Sequence, residues 1–146
     1  MIIAVVGCAM VREQPPTLYE TFEGYRDAVA SGTVVAWRKE FFTPAALKDI
    51  DINSKSDVIE LSVASYMAKE RSHYEKVEKM KGCLTVNGYQ ENGDPVSLFI
   101  EYKPVGDHWL MSYTNVHLPQ KDGLKGFHEK ALCPDEAQDK VMREFK

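Results

Sequence analysis

The chain has 146 residues and a mass of 16.6 kDa, which is enough for one domain with a substantial core. With 18 basic and 22 acidic residues its formal net charge is −4, and that balance argues against a protein that binds nucleic acid or anionic membranes through a basic face. A composition of 44% hydrophobic and 27% charged residues is typical of a folded protein, not of a disordered tail or a fibre. No apolar run approaches the roughly 20 residues of a membrane-spanning helix.

The chain begins with a short apolar segment that ends in a cysteine. Val5-Val6-Gly7-Cys8 resembles a bacterial lipobox, in which the cysteine is acylated and becomes the new N-terminus. This pattern predicts lipidation of Cys8 and a place in the bacterial cell envelope, lipid-anchored on the periplasmic side, with contact to the membrane only through that anchor. Residues 1–16 are then a signal remnant and a tether. The alternative is a cytoplasmic protein in which Ile2–Val6 is a short buried strand and Cys8 a small hydrophobic residue.

Two further cysteines, Cys83 and Cys133, allow two interpretations. In the cell envelope they are expected to form a disulfide, which closes a loop of about 50 residues. In the cytoplasm both are expected to be free thiols. Neither His73 nor His128 stands at zinc-ligand spacing from a pair of cysteines, so no metal site is predicted. No cofactor is predicted either.

The first half of the chain has the periodicity of helices. Thr17 and Glu20 form a capping box, and Gly32 is a C-terminal stop, so the first predicted helix begins after Thr17 and ends before Gly32. A second helix is predicted over Thr33–Phe42, and Thr43-Pro44 begins a short turn. A third helix is predicted from Ser54 or Ser56 to about Glu70.

The second half changes to a period of two residues, which is typical of strands. The predicted strands are Tyr74–Met80, continued by Cys83–Val86, then Val96–Tyr102 and His108–Leu118. Asn92-Gly93 is a strong hairpin-turn signal between two of them. A final helix is predicted over Pro134–Phe145. Helices followed by an antiparallel meander predict an α+β fold.

The pattern resembles the NTF2-like (SnoaL-like) superfamily over residues 17–118. The residues that carry the resemblance are the second helix with its Phe41-Phe42-Thr43-Pro44 end, and Trp109 after the turn at Gly106-Asp107. The resemblance implies N-terminal helices packed on a curved antiparallel sheet that forms a cone, and a cystatin-like cone is the neighbouring possibility. Residues 17–118 are then the domain, and residues 119–146 are a C-terminal tail with a helix.

The last predicted strand carries the candidate ligand-binding residues. Strict alternation along a strand places five side chains on one face: Trp109, Met111, Tyr113, Asn115 and His117. An apolar wall that ends in polar groups is what a small-molecule pocket requires. The competing interpretation is that Trp109, Met111 and Tyr113 pack between sheet and helices, and that His117 is a surface histidine.

No motif of a known catalytic machinery is present, so no catalytic residue is assigned. The leading hypothesis is a noncatalytic cell-envelope protein that binds a small apolar ligand or a protein partner through its sheet face or pocket, with no nucleic acid as a partner. The alternative is an enzyme of the isomerase or hydrolyase kind, with a pocket that uses His117 with Tyr113 or Glu101. A homodimer through the sheet is a further option.

Overall fold

The computed structural model describes residues 16–118 and 127–144, without the side chains of residues 141, 142 and 144. The helices are α1 Leu18–Ser31, α2 Arg38–Phe41, α3 Pro44–Leu47, α4 Lys55–Glu60 and α5 Pro134–Glu144, with a 3₁₀ turn at Val63–Tyr66. The strands are β1 Lys69–Val77, β2 Gly82–Tyr89, β3 Pro95–Val105 and β4 His108–His117. The predicted lipidation site Cys8 and the alternative strand Ile2–Val6 lie outside the described residues.

The four strands form one antiparallel open sheet in the order β1-β2-β3-β4. Residues 18–66 pack on one face of this sheet, which we call the front face, and residues 127–144, the C-terminal segment, pack on the opposite rear face. The predicted α+β class is therefore confirmed. The front core includes the buried strand side chains Leu84, Val86, Leu98, Ile100, Tyr102 and Met111.

Helix α1 follows the prediction closely. The Thr17 hydroxyl accepts from the Glu20 amide at 3.1 Å, and the Glu20 carboxylate accepts from the Thr17 amide at 3.0 Å, so the capping box is present. The helix ends at Gly32, whose φ of 75° suits glycine best among the amino acids. The side chains that α1 buries in the front core are Leu18, Phe22, Tyr25 and Ala28.

The prediction of a second helix over Thr33–Phe42 is mostly wrong. Only Arg38–Phe41 is α-helical, and the preceding residues form hydrogen-bonded turns. Thr33, Val34 and Val35 are β-branched, and such side chains lose rotamer freedom in a helix. Val34 is buried in the front core, so this segment is held by tertiary packing instead of by a continuous helix.

The predicted third helix ends earlier than expected. Helix α4 stops at Glu60, and β1 already begins at Lys69. The Ala68 amide donates to the Tyr89 carbonyl at 2.8 Å, and the ladder between β1 and β2 continues from there. The predicted strand Tyr74–Met80 thus covers only the second half of β1, because β1 is an edge strand whose charged residues occupy both faces.

A turn separates β1 from β2, which were predicted as one continued strand. The Glu78 amide donates to the Lys81 carbonyl at 2.8 Å, and Val77 pairs with Gly82. Gly82 is therefore the first residue of β2. The Asn92-Gly93 turn between β2 and β3 is present as predicted, with a φ of 87° at Gly93.

Candidate functional site

A β-bulge in β4 decides where the predicted ligand-binding residues point. Glu101 on β3 pairs with Tyr113, but the next residue, Tyr102, pairs with Met111. Ser112 is therefore the extra residue of β4. Its hydroxyl donates to the Glu101 carboxylate at 2.8 Å and lies 3.2 Å from the Glu101 carbonyl oxygen. A bulge of this kind reverses the alternation of side chains on the bulged strand.

The predicted five-residue face is consequently divided between the two sides of the sheet. Trp109 and Met111 pack into the front core, and Met111 is 1% exposed. Tyr113, Asn115 and His117 lie on the rear face, in register with the rear-facing residues of β3. The prediction of one shared face was wrong because it assumed strict alternation along the whole of β4. No pattern of residues in β4 indicates the bulge that interrupts this alternation.

Two clefts flank β4, and the larger one opens on the front side. This front cleft has a volume of about 540 Å³ and lies between α3, the chain around α4 and β4. Its apolar lining consists of Phe42, Ala45, Ala46, Ile50, Leu61 and Val63. Its polar lining consists of Glu60, Ser112, Tyr113 and Thr114. An apolar lining with a few polar groups is typical of sites for small molecules.

Thr43 fixes the position of the front cleft because it caps α3 and attaches the start of α3 to β4. The Thr43 hydroxyl accepts from the Ala46 amide at 3.2 Å and caps α3, in which Pro44 occupies the first turn as predicted. The Thr43 amide donates to the Met111 carbonyl at 3.0 Å, so the start of α3 is attached to the edge of β4 just before the bulge. The sequence contains the signal for this cap, but not for the strand edge that it meets.

The smaller, rear cleft contains the rest of the predicted site. It has a volume of about 360 Å³ and is lined by Phe99, Tyr113, Asn115, Val116, His117, Ala137 and Gln138. Tyr113 belongs to both clefts and is 56% exposed, so it stands on the rim between them and is not a core residue.

The rear face also carries a buried polar network that sequence reasoning missed. Asn87 is fully buried, and its amide nitrogen donates to the His128 carbonyl at 2.8 Å and to the Ser72 hydroxyl at 3.2 Å. Its oxygen accepts from the Ser97 hydroxyl at 2.7 Å. The Thr85 hydroxyl accepts from the Leu132 amide at 2.9 Å. Polar side chains of the sheet therefore hold the backbone of the C-terminal segment.

The C-terminal segment is also attached covalently. Cys83 and Cys133 are joined by a disulfide, the form expected in the cell envelope. The Glu136 carboxylate accepts from the Lys76 ammonium at 2.7 Å and from the Cys133 amide at 2.9 Å, and these two bonds lower the pKa of Glu136. In the described part of the chain, Cys133, Asp135 and Glu136 come within reach of a single metal ion. The Cys133 sulfur is committed to the disulfide, which leaves two exposed carboxylates.

A second polar cluster lies between α1 and β1, the strand at the opposite edge of the sheet from β4. The Tyr19 ring stacks on His73 with centroids 3.5 Å apart, and the Tyr19 hydroxyl donates to the Glu70 carboxylate at 3.0 Å. Arg26 donates to the same carboxylate at 2.9 Å. Burial, followed by the hydrogen bond to Glu70, raises the pKa of Tyr19. Glu70 thus attaches β1 to α1 through its bonds with Tyr19 and Arg26.

The residues named for the enzyme alternative lie on one face but in different rows. Glu101 and Tyr113 are direct cross-strand neighbours, and Ser112 donates to the Glu101 carboxylate. His117 pairs with Ser97 four positions further along β4, a backbone distance of about 13 Å from Tyr113. The enzyme alternative therefore stays a prediction.

Comparison with family models, with characterised proteins and with solved structures gave no match to this chain. The resemblance to the NTF2-like superfamily therefore stays a prediction that rests on the residues quoted for it. None of the helices in the described part of the chain combines the length and the apolar character that a bilayer-spanning helix needs.

Proposed function

We propose that this protein is a noncatalytic, lipid-anchored protein of the bacterial cell envelope that binds a small apolar ligand in the front cleft. The main support for this proposal is the front cleft. Its volume of about 540 Å³ lies within the range of roughly 300–1,000 Å³ that is usual for small-molecule sites.

The chemistry of the front cleft indicates the kind of ligand. Phe42 and Leu61 are buried in the core and form a firm apolar wall, while Ala45 and Ala46 leave space because their side chains are small. The polar residues of the lining are Glu60, Ser112, Tyr113 and Thr114. A carboxylate only accepts hydrogen bonds, so the cleft fits an apolar body that carries one hydrogen-bond donor.

Two features support the proposed location in the bacterial cell envelope. Disulfides persist in oxidising surroundings such as the periplasm, and Cys83–Cys133 attaches the C-terminal segment to the sheet. Cys8 stands in a lipobox-like pattern and is not part of that disulfide. Both features fit an exported protein better than a cytoplasmic one.

Ligand binding is tested by filling the cleft. The probe is 1-N-phenylnaphthylamine, whose fluorescence rises in apolar surroundings, and the protein is the full chain with Cys8→Ser to prevent acylation. Ala46→Phe adds a ring to the cleft lining, so we expect binding of the probe to weaken by at least about tenfold. The matched control is Ala30→Phe on the exposed side of α1, which we expect to bind like the parent. Equal affinity of all three proteins would contradict the proposed site.

The anchor is tested separately by the intact mass of the protein recovered from membrane and soluble fractions of its native host. Acyl chains on Cys8, with loss of residues 1–7, are the expected result. A soluble, unmodified chain would contradict the proposed location and leave the cleft as a cytoplasmic binding site.

A further inference from the structure

The start of α1 and two hairpin turns meet at one end of the sheet. The β1–β2 turn spans residues 78–81, and the β3–β4 turn lies at residues 106–107. Because the strands alternate in direction, both turns lie at the same end, which we call the turn end. The Asn92-Gly93 turn is at the opposite end.

Helix α1 is attached to the turn end by its first residue. The Leu18 amide donates to the Glu75 carboxylate at 2.9 Å. The Leu18 side chain packs on Gly82, where an added Cβ would come within 2.6 Å of it. The described part of the chain therefore begins at the turn end, and Cys8 precedes its first residue, Pro16, by eight positions in the sequence.

The turn end exposes apolar side chains together with lysines. Met80 is 71% exposed, Val77 is 61% exposed and Val105 is 47% exposed.

Lys79 and Lys81 flank Met80 directly in the chain, and Lys103 is exposed near the β3–β4 turn. The acidic groups at this end are Glu75, Glu78, Asp107, Asp135 and Glu136, so its charge is mixed. Exposed apolar tips flanked by lysines suit the layer between lipid headgroups and acyl chains, where the ammonium groups remain hydrated.

We infer that the anchored protein docks its turn end on the surface of the phospholipid bilayer that holds the anchor, with Met80, Val77 and Val105 against the headgroup layer. This inference rests on the lipidation of Cys8 in the proposed function. Seven residues lie between Cys8 and Pro16, and the eight steps from Cys8 to Pro16 span at most about 28 Å when the chain is fully extended. The anchor therefore keeps the turn end near the membrane. This raises the effective concentration of the turn end at the bilayer surface, so a weak apolar contact is sufficient for docking. In this orientation the Asn92-Gly93 end is directed away from the bilayer.

The test attaches the full chain to vesicles of phosphatidylcholine and phosphatidylglycerol through Cys8, by coupling its thiol to a maleimide-bearing lipid. Lysine acetylation by a water-soluble reagent is then measured residue by residue by mass spectrometry, with the uncoupled chain as the reference. We expect the labelling of Lys79 and Lys81 to fall by at least about threefold, since docking places them in the headgroup layer. Lys69, which pairs with Tyr89 at the opposite end, and Lys140 beside His128 serve as internal controls and are expected to keep their rates.

A pair of variants separates docking from simple proximity. Met80→Ser is expected to abolish most of the protection of Lys79 and Lys81, whereas Ile59→Ser, at a site 52% exposed on α4, is expected to leave it unchanged. The inference would be overturned if coupling to vesicles changed the labelling rates of Lys79 and Lys69 by the same factor. It would also be overturned if the protection of Lys79 and Lys81 survived Met80→Ser. Since the anchor is installed chemically, this result does not depend on native acylation, which the intact mass decides independently.

Discussion

The two faces of the sheet are closed by different kinds of interaction. The front face is covered by α1 and the following segments through a continuous apolar core that includes Leu98 and Ile100, both fully buried. The rear face has a small apolar cluster of Phe99, Leu132 and Ala137 among the described residues. There the C-terminal segment is held by a disulfide and by polar side chains of the strands.

This difference indicates what each covering contributes. Apolar burial stabilises the front face in proportion to area and needs no exact partner. The rear face depends on particular atoms, because a buried amide or hydroxyl that loses its partner costs free energy. We therefore expect the front face to tolerate conservative apolar exchanges and the rear face to be sensitive to the loss of single polar groups.

The largest effect is expected from removing the disulfide. The double variant Cys83→Ala and Cys133→Ala releases a loop of 50 residues, which costs about 4 kcal/mol of unfolding free energy in the chain-entropy model. Urea unfolding of the oxidised parent and the variant measures the difference. Proteolysis is expected to cut the C-terminal segment of the variant first, while the front core stays protected. Unchanged stability would mean that the polar network alone holds the rear face.

A matched pair of leucine truncations compares the two apolar clusters directly. Leu98→Ala in the front core should cost about 3 kcal/mol, and Leu132→Ala on the rear face about 2 kcal/mol, because the smaller cluster can relax around the cavity. Both values come from denaturant midpoints at equal slope. A larger loss at Leu132 than at Leu98 would reverse the proposed division between the faces.

Asn87 is expected to have the largest effect among single polar side chains of the rear face. Asn87→Ala leaves the Ser97 hydroxyl and the His128 carbonyl without their partner in a buried place, so we expect a loss of about 2 kcal/mol. Ser72→Ala removes one hydrogen bond of the same amide and is expected to cost less than about 1 kcal/mol. Equal losses for the two variants would show that the bonds to Ser97 and His128 contribute little.

The smallest effect concerns pH and Glu136. Its pKa is lowered by the bonds from Lys76 and the Cys133 amide, so its contribution is complete above the unfolded pKa and is lost as the pH falls through the folded one. Glu136→Gln should cost about 0.5 kcal/mol at about pH 7, because the pair is partly exposed. The difference in stability between the two proteins should shrink as the pH falls through the folded pKa of Glu136. A difference that persists at low pH would contradict this assignment.

The sequence predicted the elements that depend on neighbouring residues. The capping box at Thr17 and Glu20, the stop at Gly32 and the start of α3 at Thr43-Pro44 are all present. Each of these signals acts within one or two turns of the chain, so it can be read from local chemistry. The first half of β1 was missed because its pairing with β2, and not its own composition, makes it a strand.

The faces on which the five predicted ligand-binding residues lie were predicted only in part, because the bulge is not a local signal. Tyr113, Asn115 and His117 do line a cleft, but Trp109 and Met111 lie on the other side of the sheet. The front cleft combines residues 42–63 with Ser112, Tyr113 and Thr114, which are distant in sequence. No spacing rule connects these segments.

The α+β class, the first helix, the glycine turns and the pair of cysteines follow from the sequence, since periodicity, helix caps and turn residues are local properties. The faces of β4 depend on strand pairing, because the pairing of Glu101 with Tyr113 and of Tyr102 with Met111 forces Ser112 out of the ladder. One extra residue in a strand reverses every later side chain. That reversal separates the residues buried in the front core from those that line the rear cleft.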